Sequence, residues 1–161
     1  MPDFADIYTA YSADVYRFAF WLAGESSEAE DITSETFVRS WAKRDSIRTE
    51  TLKAYLFAIA RNAFLERRRK TKRGTALSEG LPDPAPGPAA RAERSLALHR
   101  IREFLQTLPE TDRTAFILRV QHELPCDEIA RILSLSVSTA KVKIHRVRRK
   151  LLAAGIHKED G

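Results

Sequence analysis

Four prolines crowd into seven residues, Pro82-Asp-Pro-Ala-Pro-Gly-Pro88, and no other feature of the sequence restricts the fold as much. Each proline removes a backbone donor and drives the residue before it out of the helical region, so neither a helix nor a sheet ladder runs through this stretch. With Gly74 and Gly80 it predicts a linker over 74–95, semi-rigid where the prolines cluster. The 161 residues are thereby divided into two small domains, 1–73 and 96–161.

Both flanks read as helix. There is no internal repeat and no alternating apolar run long enough for a sheet, so the expected class is all-α: two small helical domains joined by a Pro-rich linker. Upstream, one helix is expected over about Ala5–Ala23, closed by Gly24. A second starts near Ser27, with Glu30 completing a capping box, and runs to about Lys43. A third covers about Glu50–Lys72 and buries Leu52, Tyr55, Leu56, Ile59 and Ala63. Downstream, about Leu96–Thr107, Glu110–His122, Asp127–Leu133 and Ser138–Ala154 form four shorter helices. Pro109 and Pro125 sit at or just before helix starts, where a missing N–H costs least.

Formal net charge is +5, which favours a polyanionic partner, and the distribution says more than the total. Met1–Glu35 holds eight acids and one base, Arg17. Arg61–Arg73 holds seven bases against Glu66, and Lys141–Lys150 holds six Lys or Arg with no acid. An acidic front with two separate basic blocks points to one protein-facing surface and two nucleic-acid-facing ones.

Several classes drop out. Cys126 is the only cysteine, so no internal disulfide forms, and a lone cysteine at a helix start is read as inert. The acidic N-terminus lacks a signal-peptide layout, and the most apolar stretch, Phe18–Ala23, is too short to span a bilayer. A soluble cytoplasmic protein without membrane insertion is expected. His99, His122, His145, His157 and Cys126 show no metal-ligand spacing, and there is no glycine-rich phosphate loop and no Ser, His and acid arrangement. No metal, cofactor, small-molecule substrate or catalytic residue is expected, and the chain is not read as an enzyme.

The strongest local signal runs from Pro125 to Leu151. Ile129, Ala130 and Leu133 make the inner face of a short helix, Ser134–Val137 a turn, and Ser136 or Ser138 a cap for the next helix. On that helix Ala140, Ile144, Val147 and Leu151 share one buried face. Lys141, Val142, His145, Arg146 and Arg149 face outward, with Lys143 and Arg148 on the flanks. A major groove admits such a helix, which can neutralise phosphates and reach base edges. Ser138 and Thr139 at its N-terminus can take a phosphate.

Here the sequence resembles sigma factors of the extracytoplasmic-function group, over nearly its whole length. Leu108-Pro-Glu-Thr-Asp-Arg-Thr-Ala-Phe-Ile-Leu-Arg119 and the helix-turn-helix resemble sigma region four. Ala29-Glu-Asp-Ile-Thr-Ser-Glu-Thr-Phe-Val-Arg-Ser-Trp41 and Ala54–Arg69 resemble region two. In region four the resemblance implies minus-35 DNA contacts by Arg119, Thr139, Lys141, Lys143, His145, Arg146 and Arg148, and Ser138, Val142 and Arg149 join them by their place on the outward face and at the helix start. Ser134 stands where a turn glycine is frequent, Ala140 where a β-branched residue is, and Val142 where a small polar one is.

In region two, a helical wheel gathers Ala29, Thr33, Thr36, Phe37 and Ser40 on one side, with Trp41 at the edge. Asp31, Ser34, Glu35, Val38 and Ala42 lie on the other, an acidic stripe suited to a basic protein partner. The resemblance implies that Asp31, Ser34, Glu35 and Val38 bind core RNA polymerase at its β′ clamp helices, Ser34 replacing a usual Gln. It also implies contact with the β flap and an anti-sigma factor. For the minus-10 element it points to Arg44, Asp45 and Ser46 in the loop 44–49, to Arg61 and Asn62 as donors for an unstacked base, and to Arg67 and Arg68 as phosphate contacts. Trp21 and Trp41 could stack bases, but their spacing is that of core residues.

The expected function is therefore a sigma factor that directs core RNA polymerase to specific promoters. A stand-alone helix-turn-helix regulator and a protein-binding helical adaptor also fit parts of the pattern.

Overall fold

A computed structural model of the chain describes residues 3–43, 52–73 and 89–156, with side chains from residue 96 onward in the last segment. Arg44, Asp45, Ser46, the prolines of 82–88 and His157 lie outside the described residues. The described elements are all helices: α1 Phe4–Ala23, α2 Ser26–Ala42, α3 Leu52–Arg73, α4 Ala89–Gln106, α5 Glu110–Val120, α6 Cys126–Leu133 and α7 Val137–Ala153. The chain divides into two compact units, Met1–Ala85 and Pro86–Gly161.

In the first unit, α1, α2 and α3 pack against one another in every pairing. Asp3 caps α1 by accepting from the Ala5 and Asp6 N–H groups at 2.9 and 3.5 Å. Gly24 closes α1 in the left-handed conformation (φ 85°), and its N–H donates to the Phe20 carbonyl at 2.7 Å. Because Gly24 and extended Glu25 complete the reversal, α2 begins at Ser26, one residue before the expected start. Ser27 is thus already inside the first turn, its hydroxyl donates to the Glu25 carboxylate at 2.7 Å, and the capping box with Glu30 does not form.

The core of this unit is Val15, Phe18 and Leu22 from α1, Ile32 and Phe37 from α2, and Leu56, Phe57 and Phe64 from α3. Phe18 and Phe57 meet at a centroid distance of 5.0 Å. The inner face of α2 is as the wheel placed it, and its hydroxyls are satisfied within the helix: Thr33 donates to the Ala29 carbonyl and Thr36 to the Ile32 carbonyl, both at 2.7 Å. On α3 the buried face is turned from the expected one. Leu52, Leu56 and Ala63 are buried, but Tyr55 and Ile59 are half-exposed while Phe57, Ala60 and Phe64 are fully covered. A helix wedged against both α1 and α2 buries a wider arc than a single apolar stripe suggests.

In the second unit α5, α6 and α7 pack together around Leu118, Ile129, Leu133, Ile144 and Val147. Helix α4 starts at Ala89, seven residues before the expected Leu96 and inside the stretch read as linker, since after Pro88 no proline occurs until Pro109 and the residues between are good helix formers. Pro109 and Pro125 both sit at the N-cap positions of the helices they precede.

Candidate nucleic-acid interface

The turn between α6 and α7 sets the geometry of the second unit. Ser134 ends α6 in the left-handed region (φ 58°, ψ 46°), and the Leu135 N–H donates back to the Ala130 carbonyl at 2.9 Å. Two residues later Ser136 caps α7: its Oγ accepts from the Thr139 N–H at 3.1 Å and donates to Thr139 Oγ1 at 2.8 Å. Of the two serines expected to cap, Ser136 does so, leaving Ser138 and Thr139 exposed in the first turn of α7. Small Ala130 on α6 and Ala140 on α7 are both buried, and the two helices pack against each other.

Ala140, Ile144 and Val147 are buried as expected, and Leu151 is half-buried. Down the middle of the opposite face run Ser138, Val142, His145 and Arg149, all exposed. Lys141 and Arg148 are exposed along one edge, and Lys143 and Arg146 lie along the other, toward α5. No acid occurs anywhere on α7. Arg119, half-exposed, closes the last turn of α5.

The α5 edge carries a feature that sequence reading missed. Asp112, fully buried, receives Lys143 Nζ on Oδ1 at 3.0 Å and Arg146 Nη1 on Oδ2 at 3.2 Å. A carboxylate withdrawn from water needs such partners, and here both come from the face expected to meet DNA. The sequence held a signal: Asp112 stands one helical turn before Ala115, which is buried on the same helix. An acid at an inward register predicts cations reaching it.

In the first unit Asp31, Ser34 and Val38 stand exposed on α2, Val38 at 68%, and Glu35 is half-exposed. The acids already have internal partners. Glu35 accepts from Arg39, Asp31 from Arg67 at 3.3 Å, and Glu28 faces Arg67 and Arg68 at 3.6 and 3.4 Å. Arg39 also reaches Glu66 on α3 at 2.7 Å. The hydrogen bond to Glu66 is the largest influence raising the Arg39 pKa above its ordinary value, and the same bond holds Glu66 below the usual carboxylate range.

Arg67 and Arg68, read as phosphate contacts, are therefore engaged with α2, and Arg68 also donates to the Ala23 carbonyl and lies 4.7 Å from the Phe64 ring centroid. Past them Arg69, Lys70 and Lys72 are exposed. Asn62 is exposed on the middle of α3 with half-exposed Arg61 beside it. Trp41 packs edge-on to Phe4 at 5.2 Å and Trp21 to Phe20 at 5.2 Å; the first remains 37% exposed, the second half-buried.

Two family models match the chain, "Sigma-70 region 2" over residues 7–74 and "Sigma-70, region 4" over 98–151. The chain is 31% identical over 153 residues to the ECF RNA polymerase sigma factor SigM of Bacillus subtilis, covering 92% of each. It is 31% identical over 162 residues to SigW of the same organism, covering 92% of this chain and 86% of that one. Its fold is similar to the sigma factor RpoE of Bartonella quintana, solved with the anti-sigma factor NepR, with a TM-score of 0.78, 30% identity and coverage of 94% and 95%. The two matches fall on the two helical units in the order region two, then region four, so this chain belongs to the extracytoplasmic-function sigma factors of the sigma-70 family.

Proposed function

We propose that the chain binds core RNA polymerase through the α2 stripe and carries promoter recognition on α3 and α7. The observation that carries this reading is the acid-free exposed face of α7, set behind a short helix and a sharply capped turn. Ser138, Val142, His145 and Arg149 meet base edges of the minus-35 element in the major groove, while Lys141, Arg148 and Arg119 take phosphates. On α3, Asn62 and Arg61 receive an unstacked base of the minus-10 element, and Arg69, Lys70 and Lys72 follow the backbone.

On α2, Asp31, Ser34, Glu35 and Val38 dock on the β′ clamp helices, and the second unit rests on the β flap. Basic groups of the polymerase then exchange with Arg67 and Arg39 for the same carboxylates. Bond making in RNA synthesis belongs to the polymerase, so this chain performs no catalysis and needs no cofactor. Its work is cytoplasmic, and no described helix is long and apolar enough to cross a membrane. The likeness to RpoE solved with NepR supports an anti-sigma partner here too, with exposed Leu96, Leu98 and Val120 offering it apolar contacts.

Run-off transcription on genomic fragments, with core polymerase and the purified chain, tests the reading. The expected result is new start sites that appear only with both components and disappear with Asp31→Lys/Val38→Asp, a variant that alters exposed positions alone. A chain that neither binds core polymerase nor yields a start site defeats the proposal. A palindromic footprint without polymerase would favour a stand-alone regulator instead.

A further inference from the structure

Among the described residues Asp112 is the one acidic side chain that is fully buried, and it spends both oxygens on the α7 edge nearest α5. Its two partners differ in what the contact leaves them. Lys143 is 19% exposed, and its ammonium is drawn in toward α5. Arg146 is 47% exposed, and its guanidinium keeps further donors beyond the Nη1 that Asp112 takes.

Arg146 is also one helical turn from both Val142 and Arg149 on the exposed face. A cation that merely neutralises phosphate gains little from being fixed, because any orientation of the charge serves. A guanidinium that reads guanine must present its fork to O6 and N7 in one plane, and fixing it beforehand lowers the ordering cost of binding. A buried carboxylate on a neighbouring helix fixes the fork in this way.

We infer that Asp112 is a positioning residue of the DNA-reading face: it sets Arg146 to read a guanine and withdraws Lys143 from the phosphate backbone. The inference rests on the reading of α7 as the DNA-binding helix. Its consequence is counterintuitive for a buried acid. Removing the charge frees two cations, so binding to arbitrary DNA strengthens while discrimination falls.

The test uses the full chain with core RNA polymerase, selecting from a pool of random-sequence DNA duplexes, for wild type, Asp112→Asn, Arg146→Ala and Lys143→Met. Wild type enriches a motif containing a guanine position. Both D112N and R146A lose about ten-fold preference at that same position and keep the rest of the motif, and K143M leaves the whole motif intact. With the free chain on unselected random duplex, the salt dependence of log K steepens for D112N by about 1.8, at ~0.9 for each released cation. A variant with merely damaged packing would instead lose all positions together and would not steepen.

Should D112N fail to fold by circular dichroism, Asp112→Leu with Lys143→Met fills the site with apolar atoms and carries the same motif expectation, with a steepening of about 0.9. Retention of the guanine preference in the Asp112 variant, loss of different positions in the Asp112 and Arg146 variants, or an unchanged salt slope overturns the inference. If wild type enriches no motif, the DNA-reading role of α7 itself falls, and the inference with it.

Discussion

Glu66 on α3 accepts from the Arg39 guanidinium on α2 through both of its oxygens, at 2.7 Å from Nη2 and 3.5 Å from Nη1. This bond joins two helices for which different tasks are proposed, since Arg39 also holds Glu35 in the stripe proposed to meet the polymerase.

The pair makes stability depend on pH in a definite sense. Arg39 holds the folded-state pKa of Glu66 below its ordinary value, so the native state binds fewer protons than the unfolded chain in acid. The stabilisation is present in full above the ordinary glutamate value and is lost as pH falls through the lowered folded one. Glu66→Gln is therefore expected to melt below wild type at neutral pH, with the gap closing as the solution is acidified past the glutamate range. Thermal unfolding at a series of pH values checks this, and a gap that stays constant into strong acid contradicts it. Added salt should narrow the gap at neutral pH, because both side chains are partly exposed.

Ser134 holds a left-handed conformation (φ 58°) that costs a residue bearing a Cβ about 1 kcal/mol. Ser134→Gly relieves that cost and is offset in part by the greater freedom of glycine in the unfolded chain. The expected outcome is a gain of about 0.5 kcal/mol, seen as a higher midpoint in urea. Ser134→Val moves the midpoint the other way, since branching at Cβ worsens the same clash.

Ser136 separates stability from binding. Ser136→Ala removes the acceptor for the Thr139 N–H and costs about 1 kcal/mol. Ser136→Asp keeps an acceptor there and complements the helix dipole, so it retains stability. It also sets a negative charge at the end of α7 proposed to enter the groove, so DNA affinity is expected to fall although the melting temperature does not. Equal losses in both variants on both measurements would contradict this division.

The proposed reading separates base contact, along the middle line of α7, from phosphate contact, along its free edge. Arg148→Ala, at an exposed edge position, lowers affinity about equally for all sequences and reduces the salt slope by about 1. Val142→Thr, at the centre of the exposed face, leaves the slope unchanged and alters which base is preferred at one position. Binding titrations at several salt concentrations on selected and unselected duplexes distinguish the two.

Much of this was legible in the linear chain. Gly24, Pro109 and Pro125 marked helix ends, and the spacing of Ala140, Ile144 and Val147 placed the buried side of α7. The α2 wheel separated Thr36 and Phe37 from Asp31 and Val38 correctly. These features depend on neighbours within one turn, where backbone geometry alone relates one residue to the next.

The seven-residue advance of α4, the rotation of the α3 core toward Phe57 and Phe64, and the failed capping box at Ser27 were not legible, because each depends on where a reversal ends or on how many helices press on one another. The same holds for function. The sequence by itself determined that a basic helix with one apolar face follows a short helix and a turn, since periodicity and charge are local properties. Only the tertiary structure decided which of those charges are spent internally: Lys143 and Arg146 lie more than thirty residues from Asp112, as Arg67 does from Asp31. Coulomb attraction acts through space, and which side chains come within 4 Å of each other is settled by how the helices pack.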